Sequence, residues 1–136
     1  MSYEKPIPLK NEDNAPFWDA ADRHELFLQK CHTCQQFAHP PGPACAKCGS
    51  SDLTWENLGT DIKGRVYSYV ISHRPFLPGF QNDTPLVIAV IELVTYPEVK
   101  MIGNILNHAI EDIHIGMEVE MTWQKINDGR SLPQWE

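Results

Sequence analysis

All four cysteines of the 136-residue chain fall between positions 31 and 48, as two Cys-x-x-Cys pairs: Cys31 with Cys34, and Cys45 with Cys48. No other feature limits the fold so strongly. A Cys-x-x-Cys pair on a tight turn brings two sulfurs within reach of one ion, and two such pairs complete the tetrahedral thiolate shell of a zinc ribbon. The spacer between the pairs holds Pro40, Pro41, Gly42 and Pro43, turn formers suited to a loop returning from one knuckle to the other. Rival uses of the same residues demand more. Two disulfides need an oxidising compartment, and the opening residues contain no apolar run of the signal-peptide kind. A thioredoxin-like pair needs a helix directly after one Cys-x-x-Cys, and neither pair is followed by a helical pattern. Iron in a rubredoxin-like site of four thiolates shares the ligand set with zinc and stays open. His32 and His39 lie near enough to replace a cysteine, but with four sulfurs at hand they read as surface residues. Four protein ligands leave no position for water or substrate, so the metal is expected to be structural and the function to lie elsewhere.

Length allows one ordinary domain, or a small metal-stapled module joined to a compact partner domain. Hydrophobic residues make up 42% of the chain, and no window approaches an uninterrupted apolar span, so the expectation is a soluble cytoplasmic protein without membrane contact. The formal charge of −7 argues against binding nucleic acid through its phosphates. That average hides a gradient. Residues 1–58 carry five Lys or Arg against eight Asp or Glu, and residues 81–136 carry three against nine. From Gly59 to Phe80 the balance reverses, with Lys63, Arg65 and Arg74 against Asp61 alone. A small anionic ligand would be drawn there first. Three ordinary solvated basic residues explain the same charges.

Taken in order, residues 1–13 are polar, contain Pro6 and Pro8, and read as an extended or mobile arm. A short helix is expected from Asn14, with Asn14 as its cap and Pro16 in its first turn. Phe17, Ala20, Ala21 and His24 form an apolar stripe at helical spacing, with Trp18 beside it. The stripe suits the protein's own core, and it also suits docking to a larger partner. Leu26 to Lys30 reads as the first ribbon strand, and Leu53 to Leu58 as the strand that returns after Cys48. This divides the chain into residues 1–30 (arm, helix and first strand), 31–58 (zinc ribbon) and 59–136.

The last unit reads as β structure throughout. Gly64 to Ser72 is β-branched and aromatic, and Leu86 to Val94 is a near-continuous apolar run of the kind seen in strands covered on both faces. Val99 to Leu106 is a third strand, and Asn107 to Ile115 leaves room for one turn of helix. Met117, Val119, Met121 and Trp123 then alternate with polar residues, as a half-buried strand requires. The Asp-Gly turn at Asn127 to Arg130 sends the chain back through a last strand, Ser131 to Trp135. Five strands with a short element between the third and fourth fit a Greek-key barrel of the OB type. The whole is thus a mainly β protein: N-terminal helix, ribbon, barrel. In such a barrel the loops after the first and fourth strands meet ligands. Here they are His73 to Thr84 and Asn127 to Arg130, which would bring Arg74 near Arg130, with Phe76 and Phe80 free to stack on a flat ring.

With both parts in hand, the chain resembles the family of small acyl-CoA-associated proteins built from an N-terminal rubredoxin-like zinc ribbon and a C-terminal OB fold. The resemblance rests on Phe17 and Trp18, the two cysteine pairs, Phe37 with His39, Pro40, Pro41 and Pro43, then Gly49 and Ser50 after the second pair. It continues through Gly64, Val66, Tyr67, Ser68 and Tyr69, then Pro78, Gly79 and Phe80, and Gly116, Met117 and Val119. It covers about residues 16–122. Members are non-catalytic subunits paired with thiolase-like enzymes or with hot-dog-fold enoyl-CoA hydratases. They support Claisen, retro-aldol or hydration chemistry on acyl-CoA substrates, including steroid side-chain breakdown and archaeal isoprenoid synthesis. The resemblance implies Cys31, Cys34, Cys45 and Cys48 as ligands of a structural Zn2+, and it carries over no catalytic residue. The hydratase domain fused to some such proteins is absent, so a separate partner is implied.

The residues point the same way. Every cysteine is committed to metal, no serine sits in a nucleophile motif, His73 has no identifiable partner, and a solvated strand face explains Glu118 and Glu120. Two functions follow. The first is an accessory subunit docked on an acyl-CoA enzyme, with Lys63, Arg65, His73, Arg74, Phe76 and Arg130 as the expected contacts to CoA phosphates and adenine. The second is a single-stranded nucleic-acid-binding module, a role open to zinc ribbons and OB folds alike but opposed by the acidic balance.

Overall fold

The computed structural model describes residues 3–75 and 77–136. The helix α1 spans Ala15–Asp22, with Asn14 at the N-cap position as expected. Asn14 does not cap it with its side chain. Its Oδ1 instead accepts from the Asn11 amide and its Nδ2 donates to the Leu9 carbonyl, so the residue ties the arm to the helix. Phe17, Ala20 and Ala21 are buried as the stripe predicts. His24 stands in the left-handed region at φ 63°, stacks on Trp123 with ring centroids 5.9 Å apart, and shares a 3.0 Å hydrogen bond with Ser131 Oγ. The stripe therefore faces the protein's own barrel.

Three short strands follow: β1 (Phe27–Cys31), β2 (Phe37–Ala38) and β3 (Leu53–Asn57), paired antiparallel in the order β2-β1-β3. The two-residue β2 is too short to leave a signal in the sequence. The second sheet holds β4 (Lys63–Ser72), β5 (Leu86–Leu93), β6 (Lys100–Asn104), β7 (Glu118–Lys125) and β8 (Ser131–Trp135) in the order β6-β5-β4-β7-β8. A 3-10 turn, Ile110–Asp112, lies between β6 and β7 where the sequence left room for one. The sheet curls until β6 and β8 meet at one parallel bridge, Ile105 to Trp135, so the barrel is nearly closed. Its order and its closure by the third and fifth strands match the expected OB topology.

Strand β7 alternates as read, with Val119 and Met121 buried between exposed Glu118 and Glu120. Strand β5 does not have the two-sided cover that its apolar run implied. Val87, Ala89, Ile91 and Leu93 are buried, whereas Ile88 is 37% exposed and Val90 only half-buried. With Val70 and Ile102 exposed beside it, the outer face of β4, β5 and β6 is apolar and open. Residues 3–10 form no helix or strand, in keeping with the extended reading, and they are tied down: Lys5 pairs with Asp83, Lys10 bridges Asp19 at 2.7 Å and Asp22 at 2.9 Å, and Pro8 accepts from Arg130. Ion pairs between residues far apart in sequence hold what composition suggested was loose.

Candidate metal centre and the surfaces around it

The cysteine pairs sit on two facing knuckles. One follows β1, where the Gln35 amide bonds back to Cys31 at 2.8 Å; the other closes with the Gly49 amide bonded to Cys45 at 2.8 Å. Gln35 (φ 63°) and Gly49 (φ 79°) both take the left-handed conformation that turns a knuckle round. The four ligand atoms lie within 4.8 Å of one another, with Cys31 to Cys48 and Cys34 to Cys45 at 3.6 Å. A tetrahedral ion with metal–sulfur bonds near ~2.3 Å sets sulfurs about 3.8 Å apart, so this shell fits such an ion. No disulfide joins them, the Cys31–Cys48 and Cys34–Cys45 sulfurs standing at non-bonded distance.

Amide groups favour thiolate at this centre. The Cys34 amide reaches Cys31 Sγ at 3.4 Å and lowers its pKa. The amides of Cys48 and Lys47 bring Cys45 down to about 6. The Ser50 amide also draws on Cys48, but the neighbouring sulfurs and desolvation outweigh it and push Cys48 up to about 12. Four thiols crowded together cannot all ionise alone, and a dication is what would let them do so. Neither histidine joins the shell. His32 is exposed and meets Asp52 at 3.0 Å. His39 is not the surface residue expected. Its ring lies 4.9 Å from Phe17, its Nδ1 is buried without a partner, and burial brings its pKa down to about 4.

The residues expected to meet a ligand are scattered. Lys63 and Arg65 are exposed at the start of β4, with Arg65 opposite Glu92 on one side and Glu118 on the other. His73 and Arg74 are exposed in the loop after β4, and Arg74 lines a small apolar hollow with Leu77, Phe80 and Leu86. Phe76 lies outside the described residues. Phe80 is not free to stack, because Lys5 stands over its ring at 4.9 Å. Arg130 does not join Arg74 in one cavity; it bonds Asp22 and the Pro8 carbonyl, with its guanidinium 6.0 Å from the Trp18 ring.

Two features escaped the sequence reading. Asp22 is a hub that accepts from Lys10, Arg130 and the Ser131 amide. Burial alone would raise its pKa, but the Lys10 hydrogen bond, the Ser131 amide and both cations hold it below the usual carboxylate value. The second is a groove of about 630 Å³ walled by α1 and the proline spacer on one side and by β6 and β8 on the other. Trp18 and His39 line it. Pro133 inside β8 was the available signal, since a proline in a strand marks an unpaired edge.

Four clustered cysteines on a ribbon, joined to an OB barrel, define a zinc-ribbon and OB-fold protein. Comparison with known proteins gives it a family. Residues 18–54 match the family described as the ChsH2 rubredoxin-like zinc ribbon domain, and residues 55–124 match the ChsH2 C-terminal OB-fold domain. The chain is 36% identical over 129 residues to a probable enoyl-CoA hydratase alpha subunit of Thermomonospora curvata, covering 95% of this chain and 39% of that protein. It is 32% identical to a DUF35 domain-containing scaffold protein of Methanocaldococcus jannaschii, covering 79% of this chain and 73% of that one. A solved structure described as Ltp2-ChsH2(DUF35) aldolase superposes with a TM-score of 0.82 at 35% identity, covering 95% of this chain and 97% of its own. The protein belongs to the ChsH2 family of zinc-ribbon and OB-fold proteins. It spans about two fifths of the length of the hydratase alpha subunits it matches.

Proposed function

We propose that this chain is a non-catalytic scaffold subunit of an acyl-CoA-processing complex, docked on a thiolase-like aldolase or an enoyl-CoA hydratase. The observation that carries this reading is the likeness, across 95% of the chain, to the ChsH2 component of an aldolase assembly. The scaffold and hydratase-subunit names of the other relatives agree with it. The metal is Zn2+, held by Cys31, Cys34, Cys45 and Cys48, and its role is to fold the ribbon. Residues 31–58 act as the ribbon unit and 59–136 as the barrel unit. Lys63, Arg65, His73 and Arg74 are the groups nearest in chemistry to CoA phosphates, being exposed cations or, for His73, a ring able to become one. Arg130 holds the arm to the helix and reaches CoA only if that contact opens. No helix among the described residues is long and apolar enough to cross a membrane, and the cytoplasm is the compartment where acyl-CoA enzymes would meet this chain.

The test is a gentle pull-down of the tagged chain from its native cells, with mass spectrometry of the bound proteins and elemental analysis of the metal. An acyl-CoA enzyme recovered in fixed ratio, with one zinc per chain, is the expected result. RNA that salt removes, with no such enzyme, would overturn the reading in favour of a nucleic-acid module. In the recovered complex, Arg74→Ala is expected to weaken acyl-CoA binding by about threefold to tenfold, as for loss of one exposed charge-assisted contact.

A further inference from the structure

The loop after β4, residues 73–84, carries the exposed His73 and Arg74 but has little of its own to hold it. Among the described residues, Ser72 Oγ donates to the Arg74 carbonyl at 3.0 Å, and the Asp83 amide donates to the Phe80 carbonyl at 3.0 Å. Three further ties all go to one residue of the N-terminal arm. Lys5 pairs with Asp83, stands over the Phe80 ring at 4.9 Å, and lays its backbone against Gly79. Gly79 is needed there twice over: its φ is 92°, and a Cβ would meet Lys5 N at 2.7 Å and Lys5 Cγ at 2.6 Å. Among the described residues neither Lys5 nor Asp83 has another ion-pair partner, and Glu4 beside them is exposed. The other end of the arm is fixed to the body of the molecule. Arg130 Nη2 donates to the Pro8 carbonyl at 3.0 Å, Asn14 Nδ2 to the Leu9 carbonyl at 3.2 Å, and Lys10 bridges Asp19 and Asp22 on α1. From Lys5 to Pro8 the chain spans at most about 10 Å. Pro6 and Pro8 keep that piece stiff and extended.

We propose that Lys5 is a positioning residue for the ligand loop: through Asp83, Phe80 and Gly79 the arm straps the loop to α1 and to the turn between β7 and β8, and so sets where Arg74 stands. This inference rests on the reading that His73 and Arg74 meet CoA. The link to Arg74 is the apolar hollow it lines with Leu77, Phe80 and Leu86, because the ring that Lys5 covers forms part of that hollow. A loop with so few bonds of its own belongs to the low-stability end of a fold. A cation on it binds a phosphate well only if it is already in place when the phosphate arrives. The strap supplies that order from outside, through a part-exposed ion pair, a cation–π contact and a close backbone approach.

The test uses the full metal-loaded chain in complex with the enzyme recovered with it, and coenzyme A as the probe. Lys5→Gln is expected to speed exchange of the amides from Leu77 to Asp83 by about threefold to tenfold, the combined size of one part-exposed ion pair and one cation–π contact, and to weaken CoA binding by a similar factor. Asp83→Asn, which leaves the Phe80 contact, should act in the same direction to a smaller degree. Its sign is decisive. Removing a carboxylate makes the loop more positive, so simple attraction gives tighter binding of a phosphate ligand, whereas the strap gives weaker binding. Lys5→Asp combined with Asp83→Lys remakes the pair with its charges exchanged and should bring loop exchange and CoA affinity back towards native. Amides of β5, unchanged throughout, report an intact barrel. Tighter CoA binding by Asp83→Asn, or a faster loop with unchanged CoA affinity, overturns the inference and leaves the CoA reading standing. A native complex that binds no CoA sinks that reading and this inference with it.

Discussion

His39 titrates against its surroundings. Its ring is packed on Phe17, its Nδ1 has no partner, and burial holds the folded pKa near 4. An unfolded histidine takes up its proton near pH ~6.5. The unfolded state therefore binds the proton first, and the contribution of His39 is fully present above pH ~6.5 and is lost as pH falls towards 4. The expected cost is up to about 1.4 kcal/mol per pH unit across that window. Urea unfolding at several pH values checks this, because His39→Phe should flatten the profile between pH ~6.5 and 4. Asp22, whose folded pKa is depressed, acts lower and in the same direction: its contribution is present above the ordinary carboxylate range and goes as pH drops through it. Gly64 is a packing case. A Cβ there would meet Ile91 Cγ2 at 2.3 Å and Trp135 at 3.1 Å, inside the barrel. Gly64→Ala is expected to destabilise by about 1–3 kcal/mol, read as a lower urea midpoint with unchanged slope.

Among the elements, the ribbon is the one with almost no core of its own. Strands β1, β2 and β3 total twelve residues, and Cys31 and Cys45 are the buried sulfurs at their open end. Structural zinc supplies on the order of 10 to 16 kcal/mol in small peptides. Cys45→Ser or chelation is therefore expected to abolish the metal signal and make the amides of β1 and β3 exchange freely, which hydrogen exchange reads directly. How visible each element was in the sequence follows from its outer face. Strand β7 was legible because glutamates alternate with Val119 and Met121, whereas β5 misled because Ile88 and Val90 stay apolar on the open face. The clustering of the four cysteines was plain from spacing, a purely local signal. The role of Arg130 was not, because it depends on Asp22 and Pro8, more than a hundred residues away in sequence.

At the scale of the whole molecule, ribbon and barrel share one core. Phe17, Leu28 and Phe37 belong to the same buried cluster as Val66, Ile91 and Trp135. The Phe37 ring lies 4.4 Å from Tyr96, which carries the turn between β5 and β6 onto β2. Helix α1 adds a second joint through Asp22, Arg130 and Ser131 on β8. Two units joined in this way should unfold together. Fluorescence of Trp55 in β3 and of Trp135 in β8, each isolated by replacing the other tryptophans with Phe, is expected to give coincident urea transitions. Removing the metal should then lower the barrel transition as well. Phe37→Ala tests the joint itself. Loss of a buried phenylalanine costs about 3–5 kcal/mol, and if the shared core is what couples the units, the two transitions should separate in that variant. Transitions already separate in the native protein would mean that the ribbon only leans on the barrel, and the scaffold would then present its two halves to a partner independently.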